Sequence, residues 1–113
     1  MASWDKAQGT CQNNSGYLAV ITSADEDAFV INLKNNFTED LPSVYQQVMV
    51  YWIGLITNEH GNTFSWVDGE AYGYTNYNML HGHNGMCYGI RDDAWDSNNC
   101  DSTSPFICER PYI

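Results

Sequence analysis

Tyr51-Trp52-Ile53-Gly54-Leu55 closes an apolar run that begins at Val48, and its shortness and its β-branched and aromatic content read as a β-strand. The same reading recurs downstream at Phe64 to Val67, ahead of the turn Asp68-Gly69, at Met86 to Ile90, at Ala94 to Asp96 and at Phe106 to Glu109. The second half of the chain is therefore expected to be β-rich. Between Glu70 and Gly85 lies a stretch of Gly, Asn, Tyr and His without helical or strand periodicity, longer than most connections in compact domains. Tyr72, Tyr74 and Tyr77 within it argue against disorder, because disordered segments are poor in aromatics.

Upstream of the strand the periodicity is helical. Ser3 can cap a helix on which Trp4, Ala7 and Cys11 share one face, with Gly16 as its terminator. After the short apolar strand Leu18 to Ile21, Ser23-Ala24-Asp25-Glu26 reads as a capping box that opens a second helix. That helix is expected to bury Phe29, Val30, Leu33 and Phe37 against a sheet. Asp25, Glu26 and Asp27 in its first turn and Lys34 near its end suit the helix dipole.

The 113 residues fit one domain, 1–113, which buries only about two-thirds of the surface its unfolded chain exposes, so covalent staples are useful. Cys11, Cys87, Cys100 and Cys108 show no Cys-x-x-Cys spacing and are read as two disulfides, for which counting alone leaves three pairings open. Four Lys and Arg stand against fourteen Asp and Glu, a formal charge of -10. That balance excludes nucleic acid as a natural partner and disfavours an anionic membrane surface. No apolar run approaches the roughly 20 residues of a spanning helix, so membrane insertion is not expected, and Met1-Ala2-Ser3-Trp4-Asp5 has no signal-peptide character. Disulfides nevertheless imply a secreted or extracellular setting, and the two observations are reconciled if the sequence is a mature fragment or an incomplete gene product.

Trp4 and Cys11, Tyr51 to Leu55, Phe64-Ser65-Trp66-Val67-Asp68-Gly69, Cys87, Trp95-Asp96, Cys100 and Phe106-Ile107-Cys108-Glu109 follow one another in an order that resembles the C-type lectin-like domain. The resemblance covers nearly the whole chain. It implies an α+β fold, two helices packed on antiparallel sheets with a long irregular loop region, and the pairings Cys11 with Cys108 and Cys87 with Cys100. On the chain-entropy model a loop of about 100 residues contributes about 4.7 kcal/mol and one of about 15 residues about 3, so the outer bond should matter more for folding. Family members usually carry a strand before the first helix. Only two residues precede Ser3, so that strand is expected to be missing or replaced.

Sugar-binding members of the family hold calcium with a Glu-Pro-Asn or Gln-Pro-Asp triplet, an acid before the inner cysteine and an Asn-Asp pair after a tryptophan. Calcium takes six to eight oxygens, and sugar hydroxyls can supply two of them. Trp95 matches the tryptophan, Asp96 stands at the Asn, Ser97 at the Asp and Gly85 at the acid, while residues 77–86 contain neither triplet. The family's principal calcium site is thus expected to be absent or very weak. A different cluster could draw oxygens from Asp92, Asp93 and Asp96 and the amides of Asn78 and Asn84, although solvated surface acids explain these residues as well. His81-Gly82-His83 invites a zinc reading but is explained more simply as exposed loop. Tyr72, Tyr74, Tyr77 and Tyr88 could stack on sugar rings or pack the loop against the sheet. Trp52, Trp66 and Trp95 are read as core.

The ligand-binding set expected on this basis is Tyr74, Tyr77, Asn78, Asn84, Asp96 and Ser97, and Asn13 and Asn36 match the glycosylation acceptor Asn-x-Ser/Thr. A non-enzymatic domain that recognises a carbohydrate or glycoprotein through the 70–97 face is the leading expectation, with calcium-independent recognition of a protein as the alternative. A hydrolase finds no support, since neither Gly-x-Ser-x-Gly nor His-Glu-x-x-His occurs.

Overall fold

Trp4, Ala7 and Cys11 fall on one side of a helical turn, and in the computed structural model that side is buried along α1, Trp4–Asn13. The structure describes residues 2–38, 50–57, 64–69, 73–76, 86–91 and 94–109. Ser3 precedes α1 in extended conformation, yet its hydroxyl caps nothing; its carbonyl accepts the Ala7 N–H instead. The left-handed residue that ends α1 is Ser15 rather than Gly16, while the Gly16 N–H closes the turn onto the Cys11 carbonyl at 2.9 Å.

Of the expected Leu18 to Ile21 strand only Leu18 lies in a ladder, in β1, Tyr17–Leu18; Ala19, Val20 and Ile21 are buried outside one. α2 spans Ala24–Thr38. Half of its capping box forms. The Glu26 N–H donates to Ser23 Oγ at 3.2 Å, but the Glu26 carboxylate turns to Thr22, accepting from its N–H and its hydroxyl.

The buried face of α2 differs from the expected one. Phe29 is 65% exposed, Val30 and Leu33 are half-buried, and the residues packed inward are Asp27 and Lys34, each 3% exposed. Lys34 lies four residues short of the helix end, its ammonium 5.7 Å from the centre of the Tyr51 ring. The face of that ring attracts the buried charge. The Phe37 side chain falls outside the described set.

The main sheet has the order β3-β2-β4-β5, with β2 at Tyr51–Thr57, β3 at Phe64–Trp66, β4 at Cys87–Arg91 and β5 at Ala94–Asn98, all antiparallel neighbours. A second sheet pairs β1 with β6, Cys108–Glu109. β2 connects the two sheets. Trp52 exchanges backbone bonds with the Pro105 carbonyl and the Ile107 N–H, the Gly54 N–H donates to the Ala19 carbonyl at 2.8 Å, and the Gly54 carbonyl accepts from Val67.

Every residue of β2 except Ile56 is buried, as expected of a strand covered on both faces. Ile53 and Leu55 join Trp66, Tyr88, Ile90 and Trp95 in one cluster, while Trp52 joins Trp4, Ala7, Cys11, Leu18 and Val50 in another. The three tryptophans read as core are all buried. Tyr88, one of the aromatics considered for sugar stacking, is 1% exposed and packs edge-on against Phe64.

The disulfides join Cys11 to Cys108 and Cys87 to Cys100, with Cα separations of 5.5 and 5.2 Å, which is the connectivity that the family resemblance implies. Their loops differ greatly, with sequence separations of 97 and 13. The outer bond fastens α1 to β6. The inner one fastens the start of β4 to the turn after β5.

Gly54 is required by contact. A Cβ there would lie 2.8 Å from the Leu18 carbonyl oxygen and 2.7 Å from Val67 Cγ2, and the first obstacle is backbone that cannot rotate away. Gly54→Ala should lower the urea midpoint of the disulfide-intact domain by an amount equivalent to about 1–3 kcal/mol, as overpacking does. Phe29→Ser, by contrast, should stay within about 0.5 kcal/mol of the parent, as an exposed position requires. A large loss at Phe29 would contradict its placement.

Candidate functional site

Residues 73–76 meet β5 near the start of α2, where Tyr74, Asn76 and Trp95 all bond to Asp27. Of the expected ligand set, Tyr74, Asp96 and Ser97 lie among the described residues, whereas Tyr77, Asn78, Asn84, Asp92 and Asp93 lie outside them. The same holds for Tyr72, His81 and His83. Asn13 is exposed at the end of α1, and the Asn36 side chain is outside the described set.

Trp95 and Asp96 are successive strand residues and point to opposite faces of β5. Trp95 is fully buried, and its indole N–H needs an acceptor, as buried tryptophans generally do. Asp27 provides it. Trp95 Nε1 donates to Asp27 Oδ1 at 2.9 Å, while Asp27 Oδ2 accepts from the Tyr74 hydroxyl at 2.9 Å and from Asn76 Nδ2 at 2.8 Å. The Trp95 N–H donates to the Asn76 carbonyl at 2.8 Å, and the Tyr74 ring meets the Trp95 ring edge-on at 5.8 Å. Tyr74 is therefore half-buried, with its hydroxyl already engaged, and belongs to the packing that ties the segment to the sheet.

On the other face Asp96 is 4% exposed and forms an ion pair with Arg91 Nη2 through Oδ2. Its Oδ1 accepts the Ser97 N–H at 2.9 Å. The ladder explains the pairing, because Asp96 lies opposite Gly89, and Arg91, two residues further along β4, is its diagonal neighbour on the same face. Ser97 is buried as well.

Asp96 does not fit the calcium that the family resemblance implies. Both of its oxygens are engaged, and the guanidinium already neutralises its charge. A divalent cation would have to share the buried carboxylate with Arg91, whose own side chain is 25% exposed, and would face its positive charge. Among the described residues no group of three or more His, Cys, Asp or Glu could hold a metal ion.

The residues that sequence reasoning missed are Asp27, Asn76 and Arg91. Asp27 carried a misleading signal, since an acid in a first helical turn reads as a dipole partner on the surface. A better signal was available in Trp95, whose burial in a strand demands an acceptor from somewhere in the chain.

Burial, then the hydrogen bond to Asp27 and the charge on Asp27, raise the pKa of the Tyr74 phenol above its ordinary value of 10.0. The native state thus holds this proton more tightly than the unfolded chain does. The resulting stability is fully present below about pH 10 and is lost as pH rises from there through the raised folded value. Tyr51, raised by burial alone, titrates in the same direction. Urea midpoints followed upward from about pH 9 should therefore fall less steeply in Tyr74→Phe than in the parent, with the contribution of Tyr51 remaining.

The sequence and the fold find the same relatives. The Lectin C-type domain family model matches residues 1–110. Human C-type mannose receptor 2 is 32% identical over 117 aligned residues, which take in 96% of this chain and 8% of that protein. Rat lithostathine is 28% identical over 115 residues, covering 95% of this chain and 66% of its own length. The structure of human lithostathine superposes with a TM-score of 0.78 at 25% identity, covering 95% of this chain and 82% of that one. With a family model spanning nearly all of the sequence, and with the two helices, antiparallel sheets and two disulfides that go with it, the chain belongs to the C-type lectin domain family.

Proposed function

We propose that residues 1–113 form a non-enzymatic extracellular recognition domain that binds a glycoprotein ligand through the 70–97 face without a calcium bridge. The observation that carries this reading is Asp96. Of the positions matched to the family's calcium ligands, it is the one that retains a strong ligand, and its carboxylate is taken up by Arg91 and the Ser97 N–H. Arg91 supplies internally the positive charge that calcium would bring, so Asp96 is satisfied without a metal.

The carbohydrate part of the reading is supported by relatives named a mannose receptor and, at 25% identity and a TM-score of 0.75, a mouse scavenger receptor C-type lectin carbohydrate-recognition domain. A second reading, in which the ligand is a protein surface, is favoured by the engaged Tyr74 hydroxyl and the buried Asp96 and Ser97, which leave these three side chains little to offer a sugar. An extracellular setting agrees with two disulfides in a small acidic domain. This chain spans under a tenth of human C-type mannose receptor 2, so these proposals concern the domain and not the activity of a longer protein.

Calorimetric titration with calcium should give no saturable heat, and the melting temperature in calcium should equal that in EDTA. A native-state site filled to about 100 times its Kd would instead add about 2.7 kcal/mol and raise the melting temperature visibly, which would overturn the calcium-free mechanism. On a glycan array in EDTA, retained binding identifies the carbohydrate arm. Binding only to deglycosylated protein would select the second reading.

A further inference from the structure

We propose that Asp27 is a positioning residue for the ligand-binding face, holding the base of the loop segment to α2 and β5. The proposal rests on the loop-face reading above, but the bonds that support it belong to the unliganded domain. Three stretches far apart in sequence meet at this one carboxylate: α2 through Asp27 itself, residues 73–76 through Tyr74 and Asn76, and β5 through Trp95. Gly73 to Asn76 lie in neither helix nor strand, so their position is set by such contacts and not by a ladder.

The chemistry of the donors assigns the role. The Trp95 indole can only donate, so an oxygen must face it. Tyr74 and Asn76 are less demanding, because a phenol hydroxyl can accept and a carboxamide can turn its oxygen round. An ionised carboxylate accepts from all three at once, and at 3% exposure it gives each bond a nearly water-free setting. An amide at position 27 could still offer its oxygen to Trp95 and its NH2 to the other two. An aliphatic side chain could offer nothing, and would leave a buried indole N–H orphaned and the loop base untied.

The sheet does not depend on this node to the same degree. β4 is held by five registered pairs to β5 and by its ladder to β2, and the Cys87–Cys100 bond fastens its start. Loss of Asp27 should therefore act first on 73–76 and only secondarily on the strands.

The test compares Asp27→Leu, Asp27→Asn and Asn76→Ala with the parent as disulfide-intact domains. Backbone order parameters of Gly73 to Asn76, and binding to yeast mannan on a biosensor in EDTA, are measured for each. In Asp27→Leu the order parameters should fall from about 0.85 to below about 0.6 while those of β2 and β4 stay rigid, and mannan binding should weaken at least about tenfold. Asp27→Asn should recover most of both losses, and Asn76→Ala should give a partial loss, which keeps the test decisive if the leucine variant fails to fold.

A rigid 73–76 segment in Asp27→Leu and Asn76→Ala would overturn the proposal. Equal loosening of β2 and the loop would overturn it too, by making Asp27 a general core residue, as would an asparagine variant no better than leucine. If the parent itself ignores mannan, that sugar is not the ligand, and the order parameters still decide the role of Asp27.

Discussion

The backbone of β2 is the constraint on which the rest of the molecule depends. Its polar groups serve more than the two neighbouring strands: the Ile53 carbonyl accepts the Trp4 indole N–H, Trp52 bonds to the segment ahead of β6, and Gly54 bonds to Ala19 and Val67. These partners approach because Gly54 has no side chain to hold them off. With β2 paired on all sides, unpaired backbone groups, which are costly once buried, find partners in the core, and α1, β1 and β6 are drawn against one strand. The outer disulfide ties α1 to β6 covalently in the same arrangement.

Two buried carboxylates face opposite sides of β5 and are satisfied in different ways. Asp27 collects neutral donors from three segments, whereas Asp96 is paired with a guanidinium. The first arrangement fixes geometry, since each donor comes from a different element. The second fixes charge. One of only four Lys and Arg in a chain of formal charge -10 is spent on Asp96, at the position where the family resemblance implies a cation. β5 is thus fixed on both of its faces by partners from within the chain, Asp27 on one side and Arg91 on the other.

Much of the fold was legible in the sequence because it rests on local rules. The inward face of α1, the strand at Tyr51, the turn at Asp68-Gly69 and the buried tryptophans all follow from periodicity and turn chemistry. α2 shows where such rules end. An apolar stripe of Phe29, Val30 and Leu33 predicted the buried side, but the helix sits so that Phe29 faces solvent while Asp27 and Lys34 turn inward. Periodicity measures only the apolar component of a helix face. It has no means of seeing that an acid will be stabilised by three donors, or a lysine by an aromatic ring.

The candidate site was legible as a region and not as a mechanism. The order of tryptophans and cysteines pointed to the segment between β3 and β5, and the missing calcium motifs at Ser97 and Gly85 are visible in the chain itself. The sequence alone determined most of the secondary elements, the family and which residue types stand at the positions matched to the family's calcium ligands, because each depends on residue types at short or characteristic spacing. Tertiary structure alone decided which acids are occupied and by what. Tyr74, Asn76 and Trp95 reach Asp27 across 47, 49 and 68 residues, and Arg91 reaches Asp96 only because a hairpin register makes them diagonal neighbours. Such partnerships are set by how elements pack, and no local pattern records them.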